Sequence, residues 1–138
     1  MRNYEVSYRN AILVGTLVMV ILSVFGWLFT ALHIILPFLM TGHPVIPFSG
    51  GFITTVLVKG KTWDRVKAGI VSSFLAACIL DGILLSMVIV SQEHGFAAGL
   101  AGIAVFLIAI SFLIFGAIGS IAGSLLKTHI VKQETEQK

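Results

Sequence analysis

The sequence predicts an all-α integral membrane protein: a four-helix transmembrane bundle with a short second helix and both termini cytoplasmic. Three observations lead there. Hydrophobic residues make up 57% of the 138-residue chain and charged residues only 11%, whereas a soluble domain carries about a quarter of its residues as charges to face water. Three apolar runs, residues 11–40, 68–91 and 96–126, exceed the ~17 residues that a spanning helix needs. The basic residues, finally, gather on one side of those runs. The chain reads as one transmembrane domain, 1–138, with helices at about 10–38, 47–59, 65–91 and 96–127. A polar cytoplasmic tail, 128–138, is expected to fray.

The first run could be opened by Arg2 and Arg9 as a signal peptide. Its apolar stretch continues to Met40, well beyond the ~7–15-residue core of such a peptide, so it reads as a retained span. Thr16, Ser23, Gly26, Thr30, His33 and Pro37 recur along it at steps of three, four or seven and form a polar stripe.

The second piece, "VIPFSGGFITTVLV" (45–58), is too short for an ordinary span. Charge decides whether it crosses. If it does, Arg2, Arg9, Lys59, Lys61, Arg65, Lys67, Lys127, Lys132 and Lys138 all share the inner side, and the outer loops 41–46 and 92–95 hold no Lys or Arg. If it re-enters, the basic residues of 59–67 move outside, against the positive-inside rule. Four passes are therefore expected, with Trp63, Tyr4 and Tyr8 as interfacial anchors on the inner side.

In the third helix Gly69, Ser73, Ala77 and Asp81 follow at i, i+4 spacing, a small-residue face that suits close packing in lipid. In the fourth, Gly95, Gly102, Ala109, Gly116 and Gly123 recur every seven residues, with Gly99 and Ser120 between them and Gly119 on a neighbouring face. A seven-residue period makes one continuous seam. Packing within the bundle and a homo-oligomer interface both fit it.

Asp81, in "LAACILDGILLSM" (75–87), is the one charge inside an apolar run. Such a residue is expensive in a membrane and marks a candidate site. At ~1.5 Å per helical residue it lies ~22 Å from the inner interface, with Trp27 at ~24 Å, Thr30 at ~28 Å and His33 at ~33 Å. Ser23, Trp27 and Thr30 are thus better neighbours than His33, which suits the outer interface. On the short second helix, Thr55 falls at ~6 Å, Gly51 at ~12 Å and Pro47 at ~18 Å. That helix would begin inside the membrane, after irregular backbone lined by His43, Pro44 and Pro47. Its free N–H donors would be those of Ser49, Gly50 and Gly51. Asp81 would then either cap this helix start or hold a proton or small ion there. The candidate site is Asp81, Ser49, Gly50, Gly51, Thr54 and Thr30, with Thr55 as a further oxygen donor.

The stretch "PFSGGFITTVLVKG" and the "VKAG" that enters the next helix resemble small archaeal multi-pass membrane proteins of an uncharacterised family. These carry a Gly-Gly motif in a short second span, and the likeness covers mainly residues 46–70. The resemblance implies the multi-span fold and no known activity.

An enzyme is not expected, because no metal-ligand spacing, serine elbow or phosphate loop is present and the His residues are scattered. With Cys78 alone, no disulfide or cysteine metal cluster can form. No cofactor and no metal are expected. The net charge of +3 has a topological explanation and does not call for nucleic acid. The expected partners are the bilayer of the cell membrane and further copies of the chain. The favoured function is a structural or assembly role through glycine-rich faces; the alternative is a proton- or small-ion-coupled transporter or channel centred on Asp81.

Overall fold

The computed structural model describes residues 6–33, 44–90 and 95–136, with side-chain surroundings for all of these except 27–33, 96–98, 100, 101 and 134–136. Four helices appear among them: α1 (Tyr8–His33), α2 (Val45–Leu57), α3 (Thr62–Val90) and α4 (Phe96–Glu136). Three contain stretches long and apolar enough to cross a membrane, at Tyr8–Gly26, Thr62–Val90 and Gly102–Gln133. The 13 residues of α2 rise only ~20 Å, against a hydrocarbon core of ~30 Å.

Local chemistry explains the extent of α2. Pro44 stands at its N-cap position with φ −59°, and Pro47 lies in the first turn, where a missing N–H breaks no helical bond. The helix ends where Val58 turns extended at ψ 134°. Beyond it Gly60 adopts φ +140°, a conformation that side-chain-bearing residues avoid, and the chain reverses into α3.

The contacts of the glycines fix the helix directions. Gly15 of α1 meets Thr54 and Ser72, and Gly50 of α2 meets Met19. The Ser73 hydroxyl faces the Met19 sulfur at 3.8 Å. α1 therefore runs against α2 and along α3. Gly69 meets Ser120 while Gly116 meets Ser73, so α3 and α4 are antiparallel. Gly119 meets Phe48 and Gly123 meets Phe52, which makes α2 and α4 parallel. Successive helices alternate in direction, and α2 packs on all three others.

The interior is built from small and hydroxylic residues. Thr54, Thr55, Ser72, Ser73, Ser120 and Ser124 are enclosed together with Met19, Leu80 and Phe112. The outer surface is apolar: Leu13 is 58% exposed, Phe106 65% and Val90 81%. Water would penalise that arrangement and lipid would not, because hydrocarbon solvates leucine and packing between small residues brings helices together.

Several boundaries differ from the sequence reading, with α1 and α3 starting earlier, at Tyr8 and Thr62, and α2 ending at Leu57. The α4 helix runs on to Glu136 rather than fraying from 128, since the residues after Lys127 include no helix breaker. α2 starts at Val45, two residues before the expected 47. Residues 34–43, which contain Pro37 and His43, lie outside the described residues, as do Arg2, Tyr4 and Lys138.

Candidate functional site

The inner half of the bundle is closed by hydroxyls that bond to backbone. The Thr54 Oγ1 donates to the Gly50 carbonyl at 2.8 Å and shares a hydrogen bond with Ser72 Oγ at 2.9 Å. The Thr16 hydroxyl reaches from α1 to the Ser72 carbonyl at 3.2 Å. Thr55, Ser73 and Ser120 each bond the carbonyl four residues earlier, on Gly51, Gly69 and Gly116. Satisfied this way, a hydroxyl can be buried without cost and still be small enough for two helices to approach. These groups pack the bundle; their protons are committed to backbone carbonyls, or between Thr54 and Ser72 to each other.

The start of α2 does not present the N–H groups of Ser49, Gly50 and Gly51 as the free donors that the sequence suggested. Because the helix begins at Val45, the N–H groups of Ser49, Gly50 and Gly51 lie past the first turn and bond within the helix. Ser49 Oγ donates to the Ile46 carbonyl at 2.9 Å. The two glycines are packing positions: a Cβ on Gly50 would strike Met19, and one on Gly51 would strike the Gly116 carbonyl. Pro47 is buried near Gly116, while Pro44 is exposed ahead of the helix. Among the described residues no side-chain hydrogen bond caps the N-terminus of α2, and Asp81 makes none there.

Asp81 sits further along α3, half-buried, one turn beyond Ala77. Ala76, Ala77 and Leu80 join Met19, Ile108 and Phe112 in the apolar cluster beneath it. Its Oδ1 is enclosed and has no hydrogen-bond partner among the described residues. The same holds for Ser23 Oγ, on a fully buried residue one turn beyond Met19 on α1. Thr30, Trp27 and His33 lie on α1, and their side chains are outside the described set. Of the candidate residues, then, Thr54, Gly50 and Gly51 share the inner core, Ser49 lies beside it, and Asp81 stands apart above it. No group of three or more His, Cys, Asp or Glu residues suited to a metal occurs among the described residues.

The glycine seam of α4 divides in two. Gly116 and Gly123 are filled by α3 and α2, and Gly119 joins them against Phe48. Among the described residues nothing stands where a side chain on Gly99 or Gly102 would be, nor on Gly82 of α3. Ala109 is half-buried between the two halves. Gly95 is not part of the seam: it precedes the helix at φ +81° and its carbonyl accepts from Gly99 N at 3.1 Å. The outer half of α3 also borders an open apolar groove of about 700 Å³ that includes Cys78, Gly82 and Ser86.

A further set of contacts ties the opposite end of the bundle. Lys127 Nζ donates to the carbonyls of Val56 and Val58, at 2.9 Å each, and Val6 N donates to the Leu57 carbonyl at 3.2 Å. Four carbonyls at a helix C-terminus lack intrahelical partners, and a cation there also opposes the helix dipole. The sequence alone marks Lys127 only by its place in the topology. Its spacing from Gly123, one turn earlier on the α2-facing side, was the available signal. Gly15 and Ser72 were missed because neither belongs to a repeated pattern.

An all-helical chain with three membrane-length apolar helices and a small-residue core is the class that these features define. Within that class, residues 9–126 match the model of a family of unknown function, DUF5518, and the chain belongs to that family. No curated protein and no solved structure matches it.

Proposed function

We propose that the chain is a multi-pass protein of the cell membrane with both termini cytoplasmic, and that it serves a structural or assembly role by self-association. The observation that carries this reading is the divided seam. Glycines on a helix in lipid let a second helix approach closely. Those of the inner half of α4 already have partners, whereas Gly99 and Gly102, with Gly82 on α3, have no neighbour beside them among the described residues. The apolar groove along α3 adds a surface at the same end. A second copy of the chain would fill these positions, with lipid around the rest. The archaeal affiliation and the Gly-Gly signature suggested by residues 46–70 belong to the same proposal, as does the absence of an enzymatic activity.

The test is chemical cross-linking and energy transfer between labelled copies in vesicles. Wild-type protein should associate, and Gly99→Ile with Gly102→Ile should abolish association without lowering the unfolding temperature. A wild-type chain that stays monomeric as its density in the bilayer rises would remove the reading.

A second reading is favoured by the enclosed, unpartnered Oδ1 of Asp81 and Oγ of Ser23. In it Asp81 binds a proton or small cation during transport. Proton and cation flux through vesicles containing wild type or Asp81→Asn separates the two: flux that the asparagine abolishes supports transport, and no flux in either leaves assembly.

A further inference from the structure

The turn between α2 and α3 concentrates charge at one end of the bundle. Residues 59–67 hold Lys59, Lys61, Arg65 and Lys67 against the single carboxylate of Asp64. Positive-inside topology accounts for the sign of these residues but not for how they are held. Arg65 is fixed beneath the turn by its Nε, which donates to the Gly60 carbonyl at 2.8 Å. Its Nη1 is enclosed and has no hydrogen-bond partner among the described residues. A guanidinium nitrogen left so keeps positive potential under the turn, which an anion on the surface would relieve. Trp63, 65% exposed, projects from the first turn of α3, and Lys67 Nζ lies 5.6 Å from the centre of its ring. That contact holds an exposed ammonium in place instead of leaving it to wander. Lys127 is anchored alongside by the carbonyls of Val56 and Val58.

We propose that Lys61, Lys67 and Trp63, over the anchored Arg65, form a docking surface for the phosphate headgroup of an anionic phospholipid. An exposed tryptophan next to lysines is the pattern of a group that sits at headgroup level, with its ring in the interface and the cations toward phosphate. A soluble polyanion would meet the same charges but gain nothing from the ring. This surface lies at the opposite end of the bundle from the open glycines and does not depend on self-association.

Native mass spectrometry of delipidated protein, offered equal amounts of phosphatidylglycerol and phosphatidylcholine, tests it. Wild type should retain phosphatidylglycerol over phosphatidylcholine by on the order of tenfold, and Lys61→Gln with Lys67→Gln should bring the ratio near parity. Lys132→Gln, on the distal part of α4, should leave the preference unchanged. Trp63→Leu provides a second variant and should weaken retention with every charge kept. Parity in the wild type would overturn the proposal. So would an equal loss with Lys132→Gln, or displacement by soluble glycerol phosphate as readily as by the lipid.

Discussion

Gly51 and the carbonyl of Gly116 leave no room for a methyl group between α2 and α4. The obstacle is backbone on a helix that is itself pinned by Ser73 and Phe48, so neither side can yield locally. Gly51→Ala should destabilise the bundle by about 1–3 kcal/mol, the usual cost of overpacking a filled core. Gly99→Ala, where space is open, should be neutral or stabilise by up to ~1 kcal/mol through helix propensity. Thermal unfolding in one detergent distinguishes them; equal unfolding temperatures for the two variants would contradict the packing described.

Lys127→Met keeps length and apolar character while deleting the ammonium that serves Val56 and Val58. The expected cost is ~0.5–1.5 kcal/mol, because interfacial water can replace part of each hydrogen bond. Amide hydrogen exchange should quicken at the end of α2 and remain slow in the middle of α3. Lys127→Arg should restore most of the protection. If exchange at residues 54–58 is unchanged, the lysine is not what closes that helix.

Asp81 has the opposite expectation. A carboxylate within a membrane helix costs ~2.5–3.5 kcal/mol at the centre, and Oδ1 has no partner among the described residues to offset it. Asp81→Leu should therefore raise the unfolding temperature, with Asp81→Asn between it and wild type. A fall in stability for both variants would mean that the acid is paired with a group on residues 34–43 or on the α1 side chains beyond Gly26. A rise, set beside the flux measurement, would identify Asp81 as a residue kept at the expense of stability.

Much of the architecture was legible because its helices are long and apolar. Nothing but a long apolar helix satisfies its own backbone in hydrocarbon, so hydropathy alone located three helices. The face Gly69–Ser73–Ala77 and the stretch "GAIGSIAGS" lie where helices meet, since close approach requires small residues at a helical period. The candidate site was much less legible. Counting residues gives depth along an axis but not which way a side chain turns about it. Ser49, Gly50 and Gly51 come close to Asp81 in depth, yet the glycines turn into α1 and α4. Gly95 fitted the seven-residue period and still fell outside the helix, because periodicity cannot see a positive φ. The first correction needed partners on other helices, which a single sequence does not identify; the second needed a backbone angle.

The order of synthesis adds a last consequence of the contacts around α2. This helix is too short to sit stably across hydrocarbon alone, and the groups that complete it, Gly116, Gly119, Gly123 and Lys127, are made after it. A nascent chain that stops before α4 lacks one of the surfaces that α2 packs on and the ammonium that closes its end. Part of the packing of α2 is therefore completed only when α4 arrives, so this corner of the bundle closes from its C-terminal helix backwards.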